Sequence, residues 1–273
     1  MKLYNRKTGE GSPLIIVHGL YGMSDNWMSV AREVSAHFTV WLPDLRNHGR
    51  SPHDPRIDFD SMKDDLLEFM DDHGIEKAAI LGHSMGGKVV MHLAESAPER
   101  ITAMIIVDVS PRAYSAESRS KGQTIDHATI IESMMSIDTT RARNLGEIET
   151  QLSWYIPSPR VRKFLLKNIH RDKQGQYQWT LNLKVILDAL PDLFSGIDVK
   201  KYDGGRGITG FPVLFIRGEK SGYIGEKDYV VIRTVFPEAE ITTIPNAGHW
   251  LHAEQPALLV KTILYFLKIQ QSL

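Results

Sequence analysis

The chain has 273 residues, of which 42 % are hydrophobic and 24 % charged, and its formal net charge is −1. These values are ordinary for a soluble globular protein with one large domain, or with a core and an insertion, and nothing in them indicates a nucleic-acid or anionic-membrane partner. The absence of cysteine excludes disulfides, thiolate metal ligands and a cysteine nucleophile. With no visible secretory signal and no apolar run of about 20 residues, we predict a cytoplasmic protein without a membrane span.

Short apolar runs alternate with segments of helical periodicity over the first 108 residues. The predicted strands there are 14–17, 39–42, 78–81 and 101–107, and the predicted helices run from Ser24 or Asp25 to about Phe38, over 60–73 and up to about 97. From about 110 to 210 no long apolar strand occurs, and helical segments such as 128–137 and 159–169 dominate. The alternation then resumes, with strands 212–216 and 240–244 and helices 226–236 and 256–269.

This alternation predicts an α/β fold with a mostly parallel sheet flanked by helices. Residues 1–110 and 211–273 form the predicted core. Residues 111–210 form a predicted helical lid, inserted after the strand that ends at Asp108. Since ligands of open α/β sheets bind at the carboxyl ends of the strands, an insertion there is expected to cover the site.

A strand, a tight turn and a helix meet at residues 82–86, which read Gly-His-Ser-Met-Gly. A G-x-S-x-G turn in this setting is typical of a nucleophile elbow. Glycines at positions 82 and 86 permit a turn in which side chains would collide with neighbouring backbone. We therefore predict that Ser84 is a nucleophile, with a serine that only caps the helix as the alternative.

A serine nucleophile needs a general base, because its hydroxyl is a weak nucleophile near neutral pH. Among the 11 histidines, His249 follows the last predicted strand and is therefore expected at the same sheet edge as Ser84. We predict that His249 is the base, with His252 as the less favoured candidate. His83 and His18 are given structural roles, His83 beside the nucleophile and His18 under the first loop.

The carboxylate that orients this histidine has two candidate positions. Asp108 ends a fully apolar strand, where an unpaired carboxylate would be costly. The loop after strand 212–216 is the other place where such an acid often occurs, but Ser221 holds that position and Glu219 comes two residues too early. We predict that Asp108 is the acid, that Ser221 is an accessory donor to the Asp108–His249 pair, and that Glu219 is the alternative.

Two backbone N–H groups are predicted to stabilise the oxyanion that forms when the nucleophile attacks a carbonyl. The N–H of Met85 opens the helix after the elbow, at the positive end of its dipole. The N–H of Leu20 lies in the first strand–helix loop, where Gly19 and Gly22 allow the chain to bend inward.

Five segments together resemble the α/β-hydrolase fold, in the chain order nucleophile, acid, histidine, and in particular small esterases of the YbfF type. They are residues 18–22, 44–52, 82–88, 107–111 and 248–254, and the resemblance spans essentially the whole chain. In that group the acid follows the strand after the nucleophile and a serine takes the other acid position, which implies the same roles for Asp108 and Ser221. We interpret the loop around Asp44 and Arg46 as a structural turn near the site mouth, with an internal ion pair.

The resemblance implies a serine carboxylic-ester hydrolase that acts on small to medium acyl esters through an acyl-enzyme intermediate. The alternative is an acyl-CoA thioesterase, lactonase or amidase with the same triad. A more remote alternative is a non-catalytic binding protein with this fold. The expected pocket is apolar and lined by Tyr21, Tyr114, Trp154, Trp179 and Trp250. The expected partner is a small-molecule ester, with no metal or other cofactor. A homodimer is compatible with the sequence, which does not decide the oligomeric state.

Overall fold

A computed structural model describes residues 1–114 and 126–271. Its main sheet has seven strands in the order β1-β3-β2-β4-β5-β8-β9. The bounds are β1 Asn5–Thr8, β2 Ser12–Val17, β3 Phe38–Pro43, β4 Ala78–His83, β5 Ile101–Val107, β8 Val213–Gly218 and β9 Glu240–Ile244. Only the β1–β3 pair within this sheet is antiparallel, so the predicted mostly parallel sheet is confirmed.

Helices cover both faces of the sheet because each buried strand is apolar on both faces. Along β2, Leu14 and Ile16 pack with one set of helices, whereas Ile15 and Val17 pack with the other. The first set is α1 Ser24–Val34 and α11 Pro256–Gln271. The second set is α2 Phe59–Asp72, α3 Met85–Ser96 and α9 Glu226–Val235. None of the helices in the described ranges is both long and apolar enough to cross a membrane.

The segment between β5 and β8 is mainly helical, as predicted, but it also contains a hairpin that the sequence did not reveal. Its helices are α4 His127–Ser136, α5 Leu145–Ser153, α6 Pro159–Leu166, α7 Leu183–Asp188 and α8 Leu190–Leu193. The hairpin pairs β6 Ile169–Arg171 with β7 Tyr177–Trp179 in antiparallel register. Three-residue strands show too little alternation to be read from a pattern, which explains why helix 159–169 was predicted too long.

Two local expectations were wrong. Helix α1 ends at Val34, and its first turn is capped by Asn26, whose side chain accepts the N–H of Met23 at 2.8 Å, rather than by Ser24 or Asp25. The predicted ion pair is not internal to the turn around Asp44. The carboxylate oxygens of Asp44 instead accept the backbone N–H groups of Ser24 and Arg50, at 2.6 and 2.9 Å.

Arg46, the cation of that turn, instead pairs with Asp65 of α2. Its Nε lies 2.6 Å from Oδ2 of Asp65, and both side chains are buried. Two carboxylates therefore stabilise this turn. Asp44 accepts two backbone N–H groups, and Asp65 pairs with the guanidinium of Arg46.

Candidate active site

Ser84 stands at the turn between β4 and α3, with backbone angles φ 53° and ψ −121°. A β-carbon at position 82 would lie 2.5 Å from the carbonyl oxygen of Gly86. One at position 86 would lie 2.4 Å from the carbonyl oxygen of His18. Both positions therefore require glycine, and the resulting tight turn holds the serine in a strained conformation above the sheet.

Three side chains from three neighbouring loops form a continuous hydrogen-bonded chain. Nε2 of His249 lies 3.0 Å from Oγ of Ser84, and Nδ1 of His249 lies 2.7 Å from Oδ2 of Asp108. Asp108 follows β5 and is fully buried, whereas His249 follows β9. Because the strands run parallel, their carboxyl ends bring these residues to one edge of the sheet.

The carboxylate of Asp108 has two further donors besides His249. Its Oδ1 accepts the N–H of Gly218 at 3.0 Å, and its Oδ2 accepts the hydroxyl of Ser221. Glu219, the alternative acid, is exposed and accepts the N–H of Asn246 at 2.7 Å. The structure thus brings Asp108 and Ser221 to the histidine and directs Glu219 elsewhere.

The loop after β2 lies directly against the elbow. A β-carbon at position 19 would approach Cβ of Ser84 to 3.0 Å. The carbonyl oxygen of Gly19 accepts the N–H of Gly22 at 2.9 Å and lies 2.9 Å from Nδ1 of His18. Since the peptide is trans, fixing this carbonyl also fixes the N–H of Leu20, which points the opposite way.

His18 adopts one definite tautomer. Its Nε2 accepts the N–H of Leu45 at 2.9 Å, so the ring proton lies on Nδ1 and is donated to Gly19. Burial lowers the pKa of His18 to about 4, which keeps this ring neutral near physiological pH. His18 therefore supports the loop that carries Leu20, in keeping with its predicted structural role.

Two further histidines lie close to His249. His83 is buried, and its Nε2 lies 2.8 Å from the carbonyl oxygen of His249, with burial holding its pKa well below the ordinary value. His252 stacks on Trp27 at 4.6 Å between ring centroids. Burial lowers the pKa of His252 to about 3, so it is a poor proton acceptor, and no hydrogen bond joins it to Ser84.

Sequence reasoning missed two residues that contact His249 or its neighbours Gly248 and Trp250. The ring of Tyr223 stacks on His249, with centroids 4.0 Å apart and planes 18° from parallel. The carboxylate of Glu254 accepts backbone N–H groups on both sides of His249. The only available signal was position: Tyr223 follows Ser221 by two residues, and Glu254 lies in a segment that carries the family resemblance.

A cavity of about 310 Å³ opens beside Ser84 and His249. Three of the five aromatic residues expected at the pocket, Tyr21, Tyr114 and Trp250, line this cavity. So do apolar side chains of the β5–β8 segment: Ile130, Val161, Phe164, Leu165 and Phe194. The other two predicted aromatic residues lie outside it. Trp154 is 71 % exposed, and Trp179 is half-buried in β7 with its indole N–H donated to the carbonyl of Met134.

A second, much smaller cavity of about 30 Å³ also borders Ser84. Leu20 and Met85, the two residues whose N–H groups were predicted to form the oxyanion hole, both line it. Its remaining walls are formed mainly by Val109, Tyr114, Leu193 and Phe194, with His127, Lys88 and Tyr223 completing them. Ser84 therefore lies between a small cavity and a large one.

No metal centre is built into the described ranges, where no three His, Asp or Glu side chains are grouped so as to hold an ion. The chemistry available to this site is that of a hydroxyl, an imidazole and a carboxylate in line, next to backbone donors and an apolar cavity.

Comparison with known proteins identifies the family. The model of the "alpha/beta hydrolase fold" family matches residues 12–256. The chain is 36 % identical to the "sn-1-specific diacylglycerol lipase ABHD11" of Danio rerio, over 95 % of this chain and 80 % of that protein. It is 31 % identical to "Esterase YbfF" of Escherichia coli, over 94 % of this chain and 93 % of that protein.

Among solved structures, "Marine microorganism esterase" is 43 % identical, with a TM-score of 0.88 over 97 % of this chain and 99 % of that one. The matched family model covers most of the chain, including Ser84, Asp108 and His249. This chain belongs to the α/β-hydrolase fold family, as its sequence motifs predicted.

Proposed function

We propose that this protein is a serine hydrolase of carboxylic esters that works through an acyl-enzyme intermediate. The observation that carries the proposal is the continuous chain from Asp108 through His249 to Ser84, with separations of 2.7 and 3.0 Å, at the edge of an apolar cavity. Relatives named as an esterase and a lipase support the same class of reaction.

In the first half-reaction, Nε2 of His249 takes the hydroxyl proton of Ser84 while Oγ bonds to the ester carbonyl carbon. Asp108 holds the ring with its Nδ1 protonated and stabilises the imidazolium that forms. The tetrahedral intermediate collapses by breaking the bond to the alcohol oxygen, which takes the proton from Nε2. The acyl group remains on Ser84, and the alcohol leaves.

In the second half-reaction, water takes the place of the alcohol. His249 accepts a proton from a water molecule as the water oxygen attacks the acyl carbon. It then donates that proton to Oγ of Ser84 as the bond between Oγ and the acyl carbon breaks. The products are the carboxylic acid and the free serine. His249 accepts one proton and donates one in each half-reaction, and it exchanges a proton with Oγ in both, so its distance from Oγ must be maintained throughout the cycle.

The N–H groups of Leu20 and Met85 are the proposed oxyanion donors. Support comes from the contact of the Gly19 loop with Ser84, from the fixed peptide that carries the Leu20 N–H, and from the position of Met85 at the start of α3. A donor of this kind is typically worth about 10²- to 10³-fold in rate.

We further propose that residues 111–210 act as a lid and that the two cavities divide the substrate. The large cavity is lined from this segment by Ile130, Val161 and Phe164, which supports a covering role. The small cavity adjoins both oxyanion donors, where the acyl chain of a bound ester would enter. A volume of about 30 Å³ has room for only two or three heavy atoms, which favours short acyl groups.

Among the possible substrates we favour acyclic oxygen esters over thioesters, lactones and amides, because the relatives are named as an esterase and a lipase. The same triad can perform all four reactions. Parallel measurements on p-nitrophenyl acetate, acetyl-CoA, a γ-lactone and an anilide are expected to give the highest kcat/KM for the oxygen ester.

A fluorophosphonate probe tests the proposed nucleophile directly. The folded wild-type protein is expected to be labelled at one serine, identified as Ser84 by peptide mass spectrometry, and to hydrolyse p-nitrophenyl acetate. Ser84→Ala is expected to lose both properties with little change in Tm, because within the described residues the hydroxyl makes a single, partly buried hydrogen bond. Folded wild-type protein that is not labelled would refute the enzymatic proposal.

A further inference from the structure

Glu254 holds the backbone on both sides of the proposed base. Its Oε2 accepts the N–H of Gly248 at 2.6 Å, and its Oε1 accepts the N–H of Trp250 at 3.2 Å. These are the residues immediately before and after His249. One carboxylate therefore bridges the Ala247–Gly248 and His249–Trp250 peptide groups, which lie on either side of the His249 α-carbon.

The approach of this carboxylate to the loop is close. A β-carbon at position 248 would lie 3.1 Å from Oε1 and 3.3 Å from Oε2 of Glu254, so the glycine leaves the space that the carboxylate occupies. The carbonyl of His249 is held separately by His83, at 2.8 Å. The backbone around His249 is thus fixed through two N–H groups and one carbonyl.

Glu254 also connects the loop that carries His249 to the β5–β8 segment, through an ion pair with Arg160. Its Oε1 lies 3.2 Å from Nη2 of Arg160 in α6, and that guanidinium lies 5.7 Å from the centre of the Trp250 ring. The carboxylate is only 13 % exposed, while the Arg160 side chain is 50 % exposed. Since half-exposed ion pairs contribute little free energy, the two amide bonds are the stronger restraint.

We propose that Glu254 is a positioning residue for the reaction: it maintains the separation between Nε2 of His249 and Oγ of Ser84 through both proton transfers. This inference rests on the proposed function. A carboxylate is suited to the task because its two oxygens can each accept from one N–H. A glutamine has one oxygen acceptor, and its NH₂ group would face the other N–H as donor against donor.

The experiment compares Glu254→Ala and Glu254→Gln with Glu219→Ala. Glu219 is the matched control because it accepts one backbone N–H, that of Asn246, in the same loop and touches neither Ser84 nor His249. We expect both Glu254 variants to lower kcat for p-nitrophenyl acetate by about 10- to 100-fold, as expected for misplacement of a catalytic group, with KM changed less than about twofold. Arg160→Met, which keeps both amide acceptors, is expected to lower kcat by less than Glu254→Gln.

A spectroscopic measurement separates positioning from general destabilisation. The proton between Nδ1 of His249 and Asp108 gives a ¹H resonance downfield of the amides, which we assign through its loss in Asp108→Asn. In Glu254→Ala this resonance is expected to broaden or shift at temperatures well below Tm, whereas Glu219→Ala retains it. Glu254→Gln provides the same test if the alanine variant fails to fold.

Two results would overturn the proposal. One is a kcat in folded Glu254→Gln within threefold of the Glu219→Ala value. The other is a low-field resonance in folded Glu254→Ala or Glu254→Gln identical to that of the wild type. Failure of the proposed function is distinguished at once, because the wild-type protein would then neither hydrolyse the ester nor react with the fluorophosphonate.

Discussion

The hydroxyl of Ser221 donates to Oδ2 of Asp108, the same oxygen that lies 2.7 Å from Nδ1 of His249. The two donors come from different strands, since Ser221 follows β8 and His249 follows β9. Asp108 follows β5, the neighbour of β8 in the sheet. A carboxylate from either β5 or β8 could therefore reach the same imidazole. In this chain the β5 position carries the carboxylate of Asp108, while the β8 position carries the hydroxyl of Ser221.

Asp108→Asn is expected to lower kcat by about 10³- to 10⁴-fold, because an amide at this position favours the wrong tautomer of His249. The carboxamide oxygen can accept only some of the three donors that converge on the wild-type side chain, so Tm is also expected to fall. The measurement is kcat on p-nitrophenyl acetate together with a thermal melt.

Glu219→Gln is the control for this prediction, and its kcat is expected to stay within about threefold of the wild-type value. Its carboxylate is exposed and bonds only the backbone of Asn246 within the described residues. A larger loss of activity in Glu219→Gln than in Asp108→Asn would show that the acid has been misassigned.

The accessory role of Ser221 makes a separate prediction. Ser221→Ala removes one of three donors to Asp108 and is expected to lower kcat by about three- to tenfold, which is the net contribution of an ordinary hydrogen bond. The double variant Asp108→Asn/Ser221→Asp places a carboxylate at the β8 position. It is expected to recover at least about tenfold in kcat over Asp108→Asn alone. No recovery would mean that the β8 loop cannot supply the acid in this protein.

Much of the fold could be predicted because its main signals are local. The strand Ile101–Val107 is apolar at every position except Thr102, and the position of Asp108 at its end indicated a carboxylate that needs a partner. The elbow was equally readable, since the glycines at 82 and 86 are required by contacts within a few residues or with the adjacent strand.

The contacts that escaped prediction depend on residues distant in sequence. Trp154 and Trp179 were expected in the pocket because they are aromatic, but the packing of the β5–β8 segment leaves one exposed and turns the other towards Met134. The stacking of Tyr223 on His249 joins two loops 26 residues apart, and no pattern in either loop encodes it. The boundaries of the lid remain a prediction.

The division of the substrate between two cavities predicts a preference for short acyl groups. In a series of p-nitrophenyl esters, kcat/KM is expected to be highest between acetate and butyrate. Leu193→Ala enlarges the small cavity and is expected to raise kcat/KM for the hexanoate by about fourfold for each methylene that it newly buries.

Phe164→Ala is the matched control because Phe164 lines only the large cavity. It is expected to leave the relative rates along the acyl series unchanged, whatever it does to KM. If Phe164→Ala moves the acyl optimum and Leu193→Ala does not, the acyl chain occupies the large cavity instead.

Buried neutral histidines predict a steep loss of stability in acid. Burial lowers the pKa of His48 and of His252 to about 3, from an ordinary value of 6.5. Between about pH 3 and pH 6.5 these histidines bind protons in the unfolded chain but not in the folded protein. Their contribution to the free energy of unfolding therefore falls as the pH decreases below 6.5. Each such histidine adds a slope of about 1.4 kcal/mol per pH unit between about pH 4 and 6.

His252→Phe isolates one of these contributions. A phenyl ring preserves the stacking on Trp27 and removes a buried Nδ1 that has no hydrogen-bond partner among the described residues. Urea unfolding at a series of pH values is therefore expected to show a slope shallower by about 1.4 kcal/mol per pH unit between about pH 4 and 6. His170→Phe, at an exposed position of β6, controls for the loss of a histidine from the chain. An unchanged slope in His252→Phe would show that His252 is protonated in the folded protein, which its burial and the nearby charges of Lys167 and Arg160 oppose.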